Sequence, residues 1–128
     1  MSRVLQPPGW PRPKGYANGI AAEGRMIFTS GIVGWDKSGN FPDGFLAQAR
    51  QLFMNLRDIL AEGGATPNNL VRLTWFVVDV EAYLASAKEL GAIYRSCLGD
   101  QFPAMSVVQV TRLVERQALV EIEATAVV

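Results

Sequence analysis

The residues best suited to chemistry are few and lie far apart in the chain. Glu121 and Glu123 stand two residues apart in Val120-Glu121-Ile122-Glu123-Ala124, so on an extended strand both carboxylates project from one face. A carboxylate so placed could hold and deprotonate a water, but a solvated sheet face has the same spacing. Tyr16, in Gly15-Tyr16-Ala17-Asn18, offers a phenol that could orient a ligand or a water, or simply pack half-buried. Thr29-Ser30-Gly31 sets a hydroxyl beside a glycine that lets backbone N–H groups come close to a ligand, although a plain turn has the same composition. In Phe102-Pro103-Ala104-Met105-Ser106, Pro103 fixes a turn and Met105 reads as a packing residue. Arg112 and Arg116 could bind an anion, yet two arginines near a turn are also what a solvated surface carries.

Absent residue types narrow the chemistry further. The chain has no histidine and a single cysteine, Cys97. A Ser-His-Asp triad, a Cys-His pair, a His-containing zinc site and a cysteine cluster are all excluded, and no metal site or cofactor is expected. Proton transfer would fall to carboxylates, tyrosine, lysine, hydroxyls or bound water. Twelve basic and twelve acidic residues cancel, which leaves no overall field to draw nucleic acid or anionic lipid. No apolar run approaches the roughly 18 residues of a membrane span, and the N-terminus lacks a signal-peptide core. The composition, 49% hydrophobic in 128 residues, therefore reads as one soluble cytoplasmic domain over 1–128.

These residues must be held by regular elements. Residues 1–15 form a proline-rich arm, with Pro7, Pro8, Pro11 and Pro13, in which Trp10 reads as a staple onto the domain or a lid over a pocket. From Ala17 to Trp35, short β-rich runs are broken at Glu23-Gly24 and Ser30-Gly31. A helix follows Phe41-Pro42-Asp43-Gly44, with Phe45, Ala49, Leu52, Phe53, Leu56, Ile59 and Leu60 at helical spacing and Gln48, Arg50 and Asn55 assigned to other faces. Leu70–Val78 reads as a central strand with Val71, Leu73, Trp75 and Val77 on one face. Asp79 caps a second helix running to Gly99, whose apolar positions include Tyr83, Leu84, Leu90, Tyr94 and Cys97. Strands over 105–110 and 119–128 close the order ββ(β)αβαββ. Two helices cover one sheet face only, and the apolar residues of the other face predict self-association.

Taken together, Ser30-Gly31 after a strand, Gln48-Ala49-Arg50 with Asn55-Leu56, Phe76-Val77-Val78-Asp79, Phe102-Pro103-Ala104 and Val120-Glu121-Ile122-Glu123-Ala124 have the order and spacing of the Rid/YjgF family. The chain resembles that family from about Tyr16 to Val127. The resemblance implies an α+β, chorismate-mutase-like fold with a mixed sheet of about six strands and two helices on one face. It also implies a homotrimer with a small-molecule ligand at each subunit interface, no nucleic-acid or membrane partner, and hydrolysis of reactive enamines or imines, such as 2-aminoacrylate, to a 2-keto acid and ammonia. By the same resemblance Glu121, Tyr16 and Ser30 are the catalytic positions, and Gly31, Ile32, Met105 and Val107 bind substrate.

Three positions depart from the family pattern. Its motif reads Pro-Ala-Arg-Ser, with the arginine forked onto the substrate carboxylate, and here that position is Met105. Methionine cannot form the pair, and charge-assisted hydrogen bonds are worth about 1.5 to 3 kcal/mol each, so carboxylate binding at this position weakens. Ala87 replaces a helix asparagine, and Ile32 replaces the glutamine that often follows Ser-Gly. The sequence thus points to a Rid-type deaminase with specificity moved away from simple 2-imino acids, toward a compound lacking the usual carboxylate. A non-catalytic trimer that binds a small ligand or a partner protein is the alternative.

Overall fold

A computed structural model describes residues 2–128. The chain runs β1 (Ser2–Val4), β2 (Ile20–Ala22), β3 (Met26–Phe28), β4 (Ile32–Val33), α1 (Phe45–Glu62), a 3-10 turn (Pro67–Asn69), β5 (Leu70–Val77), α2 (Val80–Ala85), α3 (Ala87–Leu98), β6 (Ala104–Gln109) and β7 (Val120–Val127). The main sheet is mixed and five-stranded. β7 lies at its centre, antiparallel to β5 on one side and to both β3 and β4 on the other, and β6 extends the sheet from β5 in parallel. β1 and β2 form a separate two-stranded ladder, so the expected count of about six strands becomes five plus two.

Period-two alternation decides what each strand buries. Along β7, Val120, Ile122, Ala124 and Ala126 point to the helices and are buried, whereas Glu121, Glu123 and Thr125 point to the open face. In β5 the buried set is Leu70, Leu73, Trp75 and Val77 rather than one starting at Val71, because a bulge between Leu70 and Arg72 shifts the register. Helix α1 lays Ala49, Leu52, Phe53, Leu56 and Leu60 on this sheet, and Leu90, Tyr94, Cys97 and Leu98 of α3 complete the core.

The second helix is two helices. Asp79 caps α2 as expected, accepting from the backbone N–H groups of Glu81 and Ala82 at 3.0 and 3.3 Å. The helix then breaks at Ser86, whose N–H bonds back to the Ala82 and Tyr83 carbonyls. The break turns Leu84, an expected apolar-face residue, out to solvent. Trp10 is not a staple, being 59% exposed. The arm is held instead by the β1–β2 ladder, by Leu5 N–H on the Gly19 carbonyl, and by Gln6, whose amide donates to the Trp10 carbonyl at 2.9 Å.

Gln48 is also on a different face from the expected one. It is 3% exposed, donating to the Gln117 carbonyl at 2.9 Å and accepting from the Leu119 N–H at 2.8 Å. This amide ties α1 to the start of β7, the strand that carries Glu121. Replacing Gln48 with Leu keeps the volume but strands both backbone groups, so unfolding stability should fall by about 2 to 4 kcal/mol, each buried unpaired group costing about 1–3. Urea denaturation checks this, and a loss below about 0.5 kcal/mol would show that the clamp carries little.

Candidate functional site

The structure sorts the seven candidate residues into two groups on opposite flanks of the chain. Tyr16, Met105 and Val107 line a cavity of about 570 Å³ between α3 and the outer strand β6. Ser30, Gly31 and Ile32 border a second concavity of about 520 Å³ beside α1, and Glu121 lies against Gly31. Met105 pairs with Leu73 and Val107 with Trp75, both on the helix face, whereas Glu121 pairs with Phe76 on the open face. One chain therefore does not bring Glu121 to Met105.

The Glu121 side is built with care for polar groups. Phe28 pairs with Thr125 and the Thr29 N–H bonds to the Ala124 carbonyl, but Ile32 pairs with Ile122, so Ser30 and Gly31 together stand opposite Glu123 alone. This is a β-bulge, and it re-aims the backbone at the carboxylate. The Thr29 hydroxyl pins it, accepting from the Ala124 N–H at 3.0 Å and donating to the Ser30 carbonyl at 2.8 Å. On the far side of β4, the Asn55 amide donates to the carbonyls of Val33 and Trp35 at 3.0 and 2.8 Å. Glycine at 31 leaves room for the Glu121 carboxylate, which a Cβ there would push aside.

Glu121 has apolar cross-strand neighbours, Phe76 on β5 and Val33 on β4. Burial raises its pKa above the ordinary carboxylate value, and the Glu123 charge raises it further. A poised carboxyl is what a group that both accepts and returns a proton needs.

The cavity on the other flank is walled by aromatic rings in edge contact. Phe53, fully buried behind the wall, meets Trp75 and Tyr94 with ring centroids 5.7 and 5.4 Å apart, and Tyr94 stacks on Phe102 at 5.0 Å. Tyr83 and Leu90 continue the wall, and Lys14, Lys88 and Arg95 stand at it as cations. The aromatic residues were legible as core positions, but their service as a cavity wall was not. One signal was available, since Lys88, Gly91 and Arg95 repeat at steps of three and four on one face of α3. Arg112 lies apart from both sites, its guanidinium bonding the nearby Leu113 and Val114 carbonyls.

A carboxyl with a raised folded pKa binds more protons when folded than unfolded, so stability falls as pH rises from the ordinary value through the raised one. Glu121→Gln should therefore be more thermally stable than the native chain above that window, and the two should converge below the ordinary value of 4.5. Melting curves from pH 3 to 8 test this; a Gln variant less stable at pH 7 would contradict it.

Comparison with known proteins gives consistent matches along the chain. The sequence profile of the family described as Endoribonuclease L-PSP matches residues 11–128. A RutC family protein of Pasteurella multocida is 33% identical over 99% of this chain and 98% of its own length. The 2-iminobutanoate/2-iminopropanoate deaminase of Escherichia coli is also 33% identical, over 99% of this chain and 98% of its own. Among solved structures, YyfB of Yersinia pestis, described as a Rid-family protein of unknown function, superposes with a TM-score of 0.85 at 34% identity, covering 99% of this chain and 98% of that one.

Proposed function

We propose that this chain, which belongs to the Rid/YjgF family, hydrolyses a reactive enamine or imine to a carbonyl compound and ammonia, with specificity moved away from simple 2-imino acids. The observation that carries the reading is Glu121, held against Gly31 by a pinned bulge with its pKa raised. In this mechanism the Glu121 carboxylate takes a proton from a water as its oxygen adds to the imine carbon. The same carboxyl returns that proton to nitrogen to give the carbinolamine, then relays the hydroxyl proton to nitrogen as the C–N bond breaks, so that ammonia leaves and the hydroxyl becomes a carbonyl. An enamine enters the sequence after protonation at its β-carbon. Ser30 and Tyr16 supply hydroxyls to orient the water and the substrate.

Opposite faces of one sheet cannot form one site, so the active site in this reading is shared between copies of the chain. The α3–β6 cavity of one copy faces Ser30, Gly31 and Glu121 of the next. Self-association is supported by exposed apolar residues at both edges of the sheet, Phe28 at 68% and Met26 at 55% on β3 and Val108 on β6. We take the assembly to be a homotrimer with three such sites. Mixing inactive Glu121→Gln and Tyr16→Ala chains under conditions that exchange subunits should restore ammonia release at on the order of a quarter of the sites, each interface drawing its halves independently. No recovery, with exchange verified, would place both halves in one chain.

Gly31→Ala pushes against the flexible end of Glu121 rather than against backbone. It should leave the melting temperature nearly unchanged while cutting kcat by about a hundredfold, the lower range of general acid–base catalysis. Ammonia release that survives undiminished in both Gly31→Ala and Glu121→Gln would overturn the mechanism. Specificity has its own test, in which Met105→Arg is assayed on 2-iminopropanoate. A rise of about tenfold or more in kcat/KM is expected from a restored charge-assisted pair, and efficient turnover by the native chain would show that its specificity has not moved. The apolar cavity would equally suit a module that binds without turnover; ligand-induced thermal stabilisation with no imine hydrolysed would favour that reading.

A further inference from the structure

We propose that the α3–β6 cavity takes an amphipathic anion, with an aromatic or bulky apolar body inside and a carboxylate on Arg95 at the wall. This names a substrate class for the site proposed above, and depends on that reading for turnover but not for binding.

Three observations converge on the same space. The interior is built from Trp75, Tyr83, Leu90, Tyr94, Phe102 and Met105, an apolar and aromatic lining that suits a bulky body better than a three-carbon imino acid. An apolar cavity of this size left to water would forgo the burial that such a wall offers.

Two buried donors in that wall have no partner. The Trp75 indole N–H and the Tyr94 hydroxyl are both unbonded, each on a residue only 3% exposed. Burial pushes the Tyr94 phenol well above its ordinary range, so it remains protonated. Unpaired buried donors are costly, and both belong to residues of the cavity wall; each is closed off in the free chain, so a ligand's carbonyl or imine-derived oxygen meets it as the rings shift.

Charge is the third observation. Lys14, Lys88 and Arg95 border the cavity, and no carboxylate is part of its lining. Arg95 is the one that reaches back: its Nη1 lies 3.5 Å and its Nη2 3.9 Å from where a methyl group on Gly91 would stand. The guanidinium thus lies over the bare backbone of the preceding turn, at the cavity, with its fork free to take a carboxylate bidentately. The anion's anchor has moved from the strand, where Met105 now packs, to the helix above it.

Calorimetric titration of the assembled protein with phenylpyruvate, pyruvate and phenylacetone tests each part. Phenylpyruvate should bind, with pyruvate, lacking the ring, and phenylacetone, lacking the charge, each weaker by about tenfold or more. Arg95→Gln should reduce phenylpyruvate to the level of phenylacetone. Tyr94→Phe should weaken phenylpyruvate while leaving the melting temperature of the free protein equal or higher, because it deletes an unpaired hydroxyl. Pyruvate binding as tightly as phenylpyruvate, or unchanged affinity in Arg95→Gln, would overturn the assignment. Turnover is read separately on imines generated from phenylalanine and alanine. Phenylpyruvate binding through Arg95 without hydrolysis of either imine would sink the deaminase reading and leave the ligand class standing. Hydrolysis indifferent to Arg95→Gln would do the reverse.

Discussion

The side-chain parity of β7 and its neighbours is the constraint on which the rest depends. An extended strand sends successive residues to opposite faces, so the need to bury Ile122 and Ala124 against α1 forces Glu121 and Glu123 outward. The registers of β5 and β6 pass that choice along the sheet, and Met105 and Val107 fall on the helix side with Leu73 and Trp75. A slip of one residue anywhere in this ladder would expose the core. The separation of the carboxylate from the cavity within one chain is therefore fixed by the same force that folds the domain.

Polar clamps then make the carboxylate side rigid. The larger core lies on the helix face, and only a small cluster around Val33, Phe76 and Leu113 packs on the other, so hydrogen bonds help hold the shape of the bulge at Ser30-Gly31. Thr29 provides them from within the strand, Asn55 from α1, and Gln48 anchors the approach to β7. Buried amides of this kind contribute modestly when satisfied and cost heavily when not, which ties the geometry of the site to the fold of the whole. The Gln48 and Asn55 motifs that marked the family in the sequence are, physically, fasteners for the bulge and for the strand that bears Glu121.

Much of this was legible in the residues, and the exceptions have identifiable causes. Alternation in Val120–Val127 and the 3.6-residue repeat of α1 state their own faces, because one face is apolar and the other is not. The start of β5 did not, since Leu70 and Val71 are both apolar and only the bulge distinguishes them. The break at Ser86 sits in Leu-Ala-Ser-Ala, where every residue tolerates a helix, so tertiary contacts rather than propensity place it. Gln48 was misassigned through its polarity. By spacing it belongs with Leu52 and Leu56, and an amide with three backbone partners can be buried where an apolar residue was expected. β1 is three residues long and shows no alternation to read. As for the candidate site, Glu121, Tyr16 and Met105 came from the resemblance and not from their own spacing, because a solvated strand, a packing tyrosine and a core methionine carry the same local signals.

Met105 links the fold to the question of what is bound. On a strand whose neighbours are Leu73 and Trp75, a methionine costs nothing to bury, whereas an arginine there must be desolvated along with the carboxylate it meets. On the proposed assignment the cation stands instead on α3, where Arg95 is exposed, and the strand face completes an aromatic wall. The exchange favours a ligand whose apolar bulk lies deep and whose charge lies outside, because each end then meets the medium that suits it. A three-carbon imino acid brings the charge without the apolar bulk, and so meets only one of the two.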